Sequence, residues 1–178
     1  GCGIMGIAVL KTVPNLEVFC SDLDLESTKI TKENFLKYNL KADIRTGNLF
    51  EPWEEKKFDH IINDVTGISS IIAKQSTWFS NKVPSNSGKD GSDLTLSIIK
   101  KAPKYLNDNG SIQIPLISLS NTKKIILAAK EIFSEVNIIR SKDWFLPKEM
   151  EILKKTMYLL KSENHINFEE KFGKIICN

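Results

Sequence analysis

Short apolar runs rich in β-branched residues alternate along this chain with longer segments of helical periodicity. Such alternation is typical of a sheet whose strands are connected by helices that pack on its faces. The pattern predicts strands at 16–21, 43–46, 58–63, 111–119, 136–140 and 175–177, and helices at 4–12, 27–38, 92–106, 121–133 and 147–162. We therefore expect an α/β fold with a doubly wound, mostly parallel sheet, whose ligands bind at the carboxyl ends of the strands.

Composition narrows the classes of protein to which this chain can belong. With 178 residues, a hydrophobic content of 41% and a net charge of +3, a single domain spanning 1–178 can bury its own core. The three cysteines, Cys2, Cys20 and Cys177, lie far apart and form no Cys-x-x-Cys pair. This spacing argues against a disulfide framework or a zinc site and favours a cytoplasmic location. The apolar stretches are too short to cross a membrane.

The segment at about 147–164 is predicted to be a helical insertion before the last strand. Met150, Leu153, Met157 and Leu160 fall on one face of this helix. Packing against the core explains that face most simply. A lid over the substrate or a dimer surface is the alternative.

A glycine motif, Gly1-x-Gly3-x-x-Gly6, opens the first predicted helix. Glycine is needed where the backbone must approach a ligand closely or adopt a positive φ. Asp22 directly follows the next predicted strand, 21 residues after Gly1, where a carboxylate can accept hydrogen bonds from both hydroxyls of a ribose. Together these features predict an adenosine-containing cofactor. Two classes share them, the nicotinamide dinucleotides and S-adenosylmethionine.

Asp24 and Glu26 compete with Asp22 for the ribose. Their alternative role lies in the first turn of the following helix, where carboxylates cap free amides and complement the helix dipole. We prefer Asp22 because it is the first carboxylate after the apolar run Val18-Phe19-Cys20.

Four motifs in register resemble those of a class I methyltransferase. They are GCGIMGIA at 1–8, SDLD at 21–24, GNLFEPW at 47–53 and FDHIIN at 58–63. The similarity is nearest to the HemK type, which methylates a glutamine amide of peptide release factors, and to the small-domain methyltransferases that act on ribosomal RNA. Residues 88–94, 102–106 and Gly110 extend it. The resemblance implies a Rossmann-like sheet with an antiparallel last strand, and a first strand, an acidic residue and a further glycine upstream of Gly1.

The resemblance also implies S-adenosylmethionine as the cofactor and assigns its binding residues to strand ends and the loops after them. These residues are Gly1, Cys2, Gly3, Asp22, Leu23, Asn48, Leu49 and Asn63. By this correspondence Asp22 binds the ribose. Asn48 stands where the family often has aspartate, and its amide oxygen can accept a hydrogen bond from the adenine amino group.

The chain departs from the family at the substrate motif, where Asn63-Asp64-Val65-Thr66 replaces the pattern Asn-Pro-Pro-Tyr. We expect Asn63 to orient the acceptor and Asp64 to accept its proton, and an ordinary solvated aspartate is the alternative for Asp64. The predicted substrate contacts are Val65, Thr66, Trp78 and Phe79. The two aromatic residues could equally anchor a long loop to the core. Loss of the tyrosine removes a stacking partner for a flat amide or base.

The combined prediction is an S-adenosylmethionine-dependent methyltransferase that modifies a nitrogen or oxygen. Its acceptor, whether protein glutamine, RNA base or small molecule, stays open, as does its oligomeric state, and we expect neither a membrane nor a metal partner. His60 and His165 have no partner at metal-ligand spacing. An NAD(P)-dependent dehydrogenase is one alternative, because it would share the glycine loop and Asp22. A degenerate domain that binds a partner without catalysis is the other, because the substrate motif has changed.

Overall fold

A computed structural model describes residues 1–13, 15–65, 67–79 and 85–178 of the chain. These residues form two compact units, Gly1–Lys57 and Phe58–Asn178. Within the described ranges, no helix combines the length and the apolar composition that a membrane span requires. The expectation of a single domain with a helical insertion stays a prediction.

The first unit alternates helices and strands. Its elements are α1 (Ile4–Thr12), β1 (Phe19–Asp22), α2 (Leu25–Lys37), β2 (Asp43–Thr46) and a 3₁₀ turn at Glu51–Trp53. The strands β1 and β2 pair in parallel, with Phe19 opposite Asp43 and Asp22 opposite Thr46. Ile7, Phe35, Phe50 and Trp53 are the buried apolar side chains of this unit. The predicted bounds of α1 and β2 are confirmed, while β1 begins later and α2 earlier than expected.

Asp24 begins α2 as its N-cap. Its side chain accepts a hydrogen bond from the Ser27 backbone amide at 2.8 Å, which satisfies an otherwise unpaired donor of the first turn. Hydrogen bonds from the Ser27 side chain and backbone lower the pKa of the Asp24 carboxyl. Asp24 therefore has the capping role that the sequence offered as its alternative to ribose binding.

The second unit contains a parallel strand pair and a small antiparallel sheet. Its strands are β3 (Phe58–Ile62), β4 (Leu106–Gln113), β5 (Trp144–Phe145), β6 (Glu169–Lys171) and β7 (Lys174–Cys177). Its helices are α3 (Ser70–Gln75), α4 (Asp93–Lys101), α5 (Thr122–Ile132) and α6 (Lys154–Ser162). Two 3₁₀ turns lie at Ala102–Tyr105 and Lys148–Leu153. The strands β3 and β4 are parallel, and β7 lies between β5 and β6, antiparallel to both. The expected α/β fold with parallel pairs and an antiparallel last strand is confirmed.

Two strand predictions in this unit are wrong. The strand expected at 111–119 begins at Leu106 and ends at Gln113, so residues 106–110, which include the turn-type Asn107 and Asn109, lie inside it. There the pairing shifts register between Phe58 and His60, and Asn109 adopts a φ of 62°, so a bulge accommodates turn-type residues within a strand. The strand expected at 136–140 is absent, and Ile138 and Ile139 are exposed there.

A hydrophobic cluster organises the second unit. It includes Ile68, Ile72, Leu119, Met150, Leu153, Met157, Leu160, Phe168, Ile175 and Cys177. All four apolar residues of the predicted face at 150–160 belong to this cluster, so the core-packing interpretation of that face is confirmed. The segment is helical throughout, although its first half is a 3₁₀ turn.

An ion pair between the buried Asp90 and the half-exposed Lys124 fixes the loop before α4. The carboxylate of Asp90 accepts hydrogen bonds from the Ser92 backbone and side chain at 3.1 and 2.7 Å and from Lys124 Nζ at 3.0 Å. Burial raises the pKa of Asp90, but the hydrogen bonds from Ser92 and Lys124 and the charge of Lys124 outweigh it, so the net shift is downward. In the same loop, the Gly88 carbonyl accepts from both the backbone and the hydroxyl of Ser70. The loop therefore ties α4 and α5 to the start of α3.

Replacing Asp90 with alanine is expected to lower the free energy of unfolding by about 2–3 kcal/mol, because Lys124 and the buried Ser92 hydroxyl lose their acceptor. The lowered pKa makes this contribution complete above roughly pH 4, the ordinary range of an unfolded aspartate, and it is lost as the pH falls further. Urea unfolding at several pH values measures both effects. The exposed Asp108, changed to alanine, is the control. If the free energy of unfolding lost in Asp90→Ala stays constant down to acidic pH, this account is contradicted.

Candidate functional site

The glycine loop at the N-terminal end of α1 is held by side chains of α2. Thr31 donates a hydrogen bond from Oγ1 to the Gly1 carbonyl at 2.8 Å, and Asn34 donates from Nδ2 to the Cys2 carbonyl at 2.9 Å. Gly3 has a φ of 78°, and a Cβ there would lie 2.7 Å from Thr31 Cγ2, so a larger residue would push the loop off α2. An added Cβ on Gly1 would meet nothing within 4 Å. The loop therefore has one packed side and one open side.

Asp22 lies at the carboxyl end of β1, next to this loop. Its Oδ1 accepts from the Asp24 amide at 2.9 Å, and its Oδ2 contacts the Gly1 amino group. The side chain keeps 28% of its surface exposed. Because Asp24 is used as the cap of α2 and Glu26 pairs with Lys29 on the helix surface, Asp22 is the carboxylate that faces the glycine loop. Leu23 follows it with an exposed side chain.

Asn48 and Leu49 form a tight turn after β2. The Glu51 amide donates to the Asn48 carbonyl at 3.0 Å, and Leu49 has a φ of 49°. Asn48 Nδ2 donates to Glu51 Oε1 at 3.1 Å. The predicted cofactor residues of the first unit are thus a glycine loop, a strand-end carboxylate and a turn amide, each fixed by hydrogen bonds.

Arg45 braces the same turn from β2. Its guanidinium pairs with Asp43 at 2.6 Å, donates to the Pro52 carbonyl at 2.8 Å and stacks on the Trp53 ring. The hydrogen bond from Arg45 lowers the pKa of the Asp43 carboxyl. Trp53 is buried and donates from Nε1 to Ser21 Oγ, which links the turn to β1.

The predicted substrate motif follows β3 in the second unit. The Asn63 amide donates to the Gln113 carbonyl at 3.0 Å and so continues the pairing of β3 with β4. Asn63 Oδ1 accepts from the Val65 amide at 3.2 Å, which uses one of its two lone pairs. Asp64 is exposed and Val65 is half-buried. Thr66 lies outside the described residues.

Trp78 and Phe79 are half-buried against the hydrophobic cluster. The Trp78 ring lies 5.7 Å from that of Trp144 at β5. This packing matches the loop-anchoring alternative for the two aromatic residues. Their contact with an acceptor stays a prediction.

Sequence reasoning missed the residues that support the predicted ones. Thr31, Asn34 and Glu51 hold the glycine loop and the Asn48 turn, and Asp90 fixes the loop bonded to Ser70. A signal exists for Thr31 and Asn34, since both are polar and lie beside buried Phe35 on α2. Within the described part of the chain, no group of three or more His, Cys, Asp or Glu side chains is arranged to hold a metal ion.

The observed residues fit S-adenosylmethionine, the cofactor that the sequence resemblance implies. Open backbone at Gly1 offers room for a ligand to lie close. Asp22 offers a carboxylate to a diol, and Asn48 offers an amide to a base edge. The Gly1 and Cys2 carbonyls accept hydrogen bonds from α2, which holds the loop in the position where it leaves this backbone open.

Comparison with known proteins agrees with this geometry. Residues 1–64 match the family model "Methyltransferase small domain". A bifunctional methyltransferase of Rickettsia prowazekii is 27% identical over 71% of this chain and 26% of its own length. A release factor glutamine methyltransferase of Clostridium botulinum is 32% identical over 63% of this chain and 42% of its own length. The chain thus spans less than half the length of these curated relatives.

A solved structure shows the same fold. The ribosomal protein L11 methylase of Lactobacillus delbrueckii subsp. bulgaricus aligns with a TM-score of 0.59 and 19% identity, over 80% of this chain and 61% of that chain. Its Rossmann-like architecture agrees with the parallel strand pairs and the antiparallel β7. The first third of the chain is thus similar to the methyltransferase family that the small-domain model describes.

Proposed function

We propose that the protein transfers a methyl group from S-adenosylmethionine to a planar nitrogen, and that the acceptor is a protein glutamine amide. The observation that carries the cofactor part is the Asp22 carboxylate beside the glycine loop, held by the Asp24 amide and partly open to solvent. The name of the Clostridium botulinum relative supports the acceptor part. When bound, S-adenosylmethionine supplies an electrophilic methyl group on a sulfonium.

The chain's contribution to this reaction is positioning. Asp22 binds a ribose diol, Asn48 a base edge, and the open backbone of Gly1 and Cys2 an amino-acid tail. Methyl transfer is an in-line displacement, so its rate depends on how well the acceptor nitrogen is aligned. Asn63 Oδ1 keeps one lone pair beyond its bond to Val65, and this lone pair can accept from the N–H of an amide.

Asp64 is proposed to take up the proton that the acceptor loses. Its exposure favours this role for an acceptor that approaches from solvent, because a solvated carboxylate passes its proton to water. The hydrogen bond from the Val65 amide to Asn63 Oδ1 restricts this segment where the family has prolines. We also propose that the protein works in the cytoplasm, where its three free cysteines remain reduced.

S-adenosylhomocysteine is expected to stabilise the protein against heat, whereas NADH is not. A ligand at a hundred times its dissociation constant adds about 2.7 kcal/mol of stability.

Replacing Asp22 with asparagine removes the charge-assisted hydrogen bonds to the diol and should weaken the binding of S-adenosylhomocysteine roughly tenfold to a hundredfold. Calorimetric titration measures the affinity. Glu26 changed to glutamine is the control, because its exposed carboxylate pairs with Lys29 on the helix surface. Stabilisation by NADH instead would favour the dehydrogenase alternative.

The native cysteines give a local probe of the same site. Burial raises the pKa of both Cys20 and Cys177 to about 11, so both thiols stay protonated and react slowly. Cys2 is exposed in the glycine loop and should be the thiol that iodoacetamide alkylates. S-adenosylhomocysteine is expected to slow alkylation of Cys2 several-fold, roughly in proportion to site occupancy. Peptide mass spectrometry reads out each cysteine. Alkylation of Cys2 at the same rate with saturating ligand would place the cofactor elsewhere.

The acceptor assignment is tested with a recombinant bacterial release factor and labelled S-adenosylmethionine. We expect one methyl group on a glutamine, and a loss of about a hundredfold in kcat/KM for Asn63→Ala because the amide is no longer aligned. Asn137→Ala, at an exposed position in the same unit, is the control. Methylation of ribosomal RNA but not of the release factor would refute the glutamine acceptor and leave the cofactor part intact. Cofactor binding without transfer to either would favour the partner-binding alternative.

A further inference from the structure

The Asn48 side chain presents two chemically opposite ends, an oxygen that accepts and an NH₂ group that donates. We infer that Glu51 fixes the orientation of this amide and thereby makes the turn select a 6-amino purine over a 6-oxo purine. The inference rests on the proposed function, because it assumes that the turn meets the base of the cofactor. It makes Glu51 a positioning residue for cofactor specificity.

The bond between the two side chains has a defined direction. Asn48 Nδ2 lies 3.1 Å from Glu51 Oε1. An ionised glutamate has acceptors only, so the NH₂ group of Asn48 must face it. The amide oxygen is then turned away from Glu51. A free asparagine could present either end by rotating half a turn, and the carboxylate removes that choice.

The backbone beneath the pair is held in place. The Glu51 amide donates to the Asn48 carbonyl, which closes the turn. Gly47 packs against Pro52 so closely that a Cβ would lie 2.5 Å from Pro52 Cγ. On the other side, Arg45 donates to the Pro52 carbonyl at 2.8 Å. Because residues 45–53 are braced at both ends, the relative position of Asn48 and Glu51 is maintained.

The Asn48 amide oxygen, which is turned away from Glu51, determines which base the turn accepts. A 6-amino group carries N–H donors and pairs with this oxygen, whereas a 6-oxo group carries only lone pairs and is repelled by it. An aspartate at position 48 would accept in the same way, but it would stand beside the negative charge of Glu51. Asparagine thus supplies a neutral acceptor that a neighbouring carboxylate can orient. This explains how asparagine can recognise the 6-amino group at a position where the family often has aspartate.

Glu51→Lys tests the inference, because a lysine donates and draws the amide oxygen toward itself. Binding of S-adenosylhomocysteine and of its 6-oxo analogue, S-inosylhomocysteine, is measured by calorimetric titration. We expect the ratio of the two dissociation constants to favour the 6-amino ligand in the wild type. We expect Glu51→Lys to reduce that preference by about tenfold, since one neutral hydrogen bond is exchanged for a repulsion. Glu51→Ala, which leaves the amide free to rotate, should fall between them.

The exposed Glu54 provides the matched control, since Glu54→Lys makes the same charge change in the same segment. It should keep the wild-type ratio. Circular dichroism of each variant reports whether the fold is retained, and Glu51→Ala serves should the lysine variant misfold. An unchanged ratio in both Glu51 variants, with tight wild-type binding of S-adenosylhomocysteine, overturns this inference alone. Failure of the wild type to bind S-adenosylhomocysteine overturns the proposed function and this inference with it.

Discussion

The close approach of the first three residues to α2 is the contact on which the candidate cofactor site depends. It requires a residue without a Cβ at position 3, and it lets Thr31 and Asn34 reach the carbonyls of Gly1 and Cys2. The same contact brings the start of the chain to the Asp22 carboxylate at the end of β1. The path of the backbone, together with the Asp22 side chain, therefore shapes the candidate site.

Much of this arrangement could be predicted from sequence, because it follows from short-range patterns. The glycine spacing, the apolar run before Asp22 and the periodicity of α2 each lie within a few residues of one another. The errors occur where a distant partner decides the outcome. Asn107 and Asn109 are residues typical of turns, yet they lie in β4 because the pairing with β3 accommodates them as a bulge. Ile138 and Ile139 have the composition of a strand but no partner among the described residues.

The candidate site likewise contains residues that sequence motifs identify and residues that only the structure reveals. Motifs identify the residues expected to contact the cofactor, because the chemistry of a diol or an amine constrains their type. They do not identify Glu51, Arg45 or Asp90, whose side chains act on the positions of others. Any of several residue types could brace a turn or a loop, so the sequence carries no specific signal for these three. Only the contacts distinguish them from the many other charged residues of the chain.

The packing of the second unit also bears on chemical durability. Of the three methionines, Met150 and Met157 are almost fully buried, and Met5 is exposed on α1. A sulfoxide in the core would introduce a polar group with no hydrogen-bond partner, whereas one on α1 would stay hydrated. Peroxide should therefore modify the folded protein at its surface first and spare the core. Transient opening of the second unit would expose Met150 and Met157 to the oxidant, and their sulfoxides would then oppose return to the native packing.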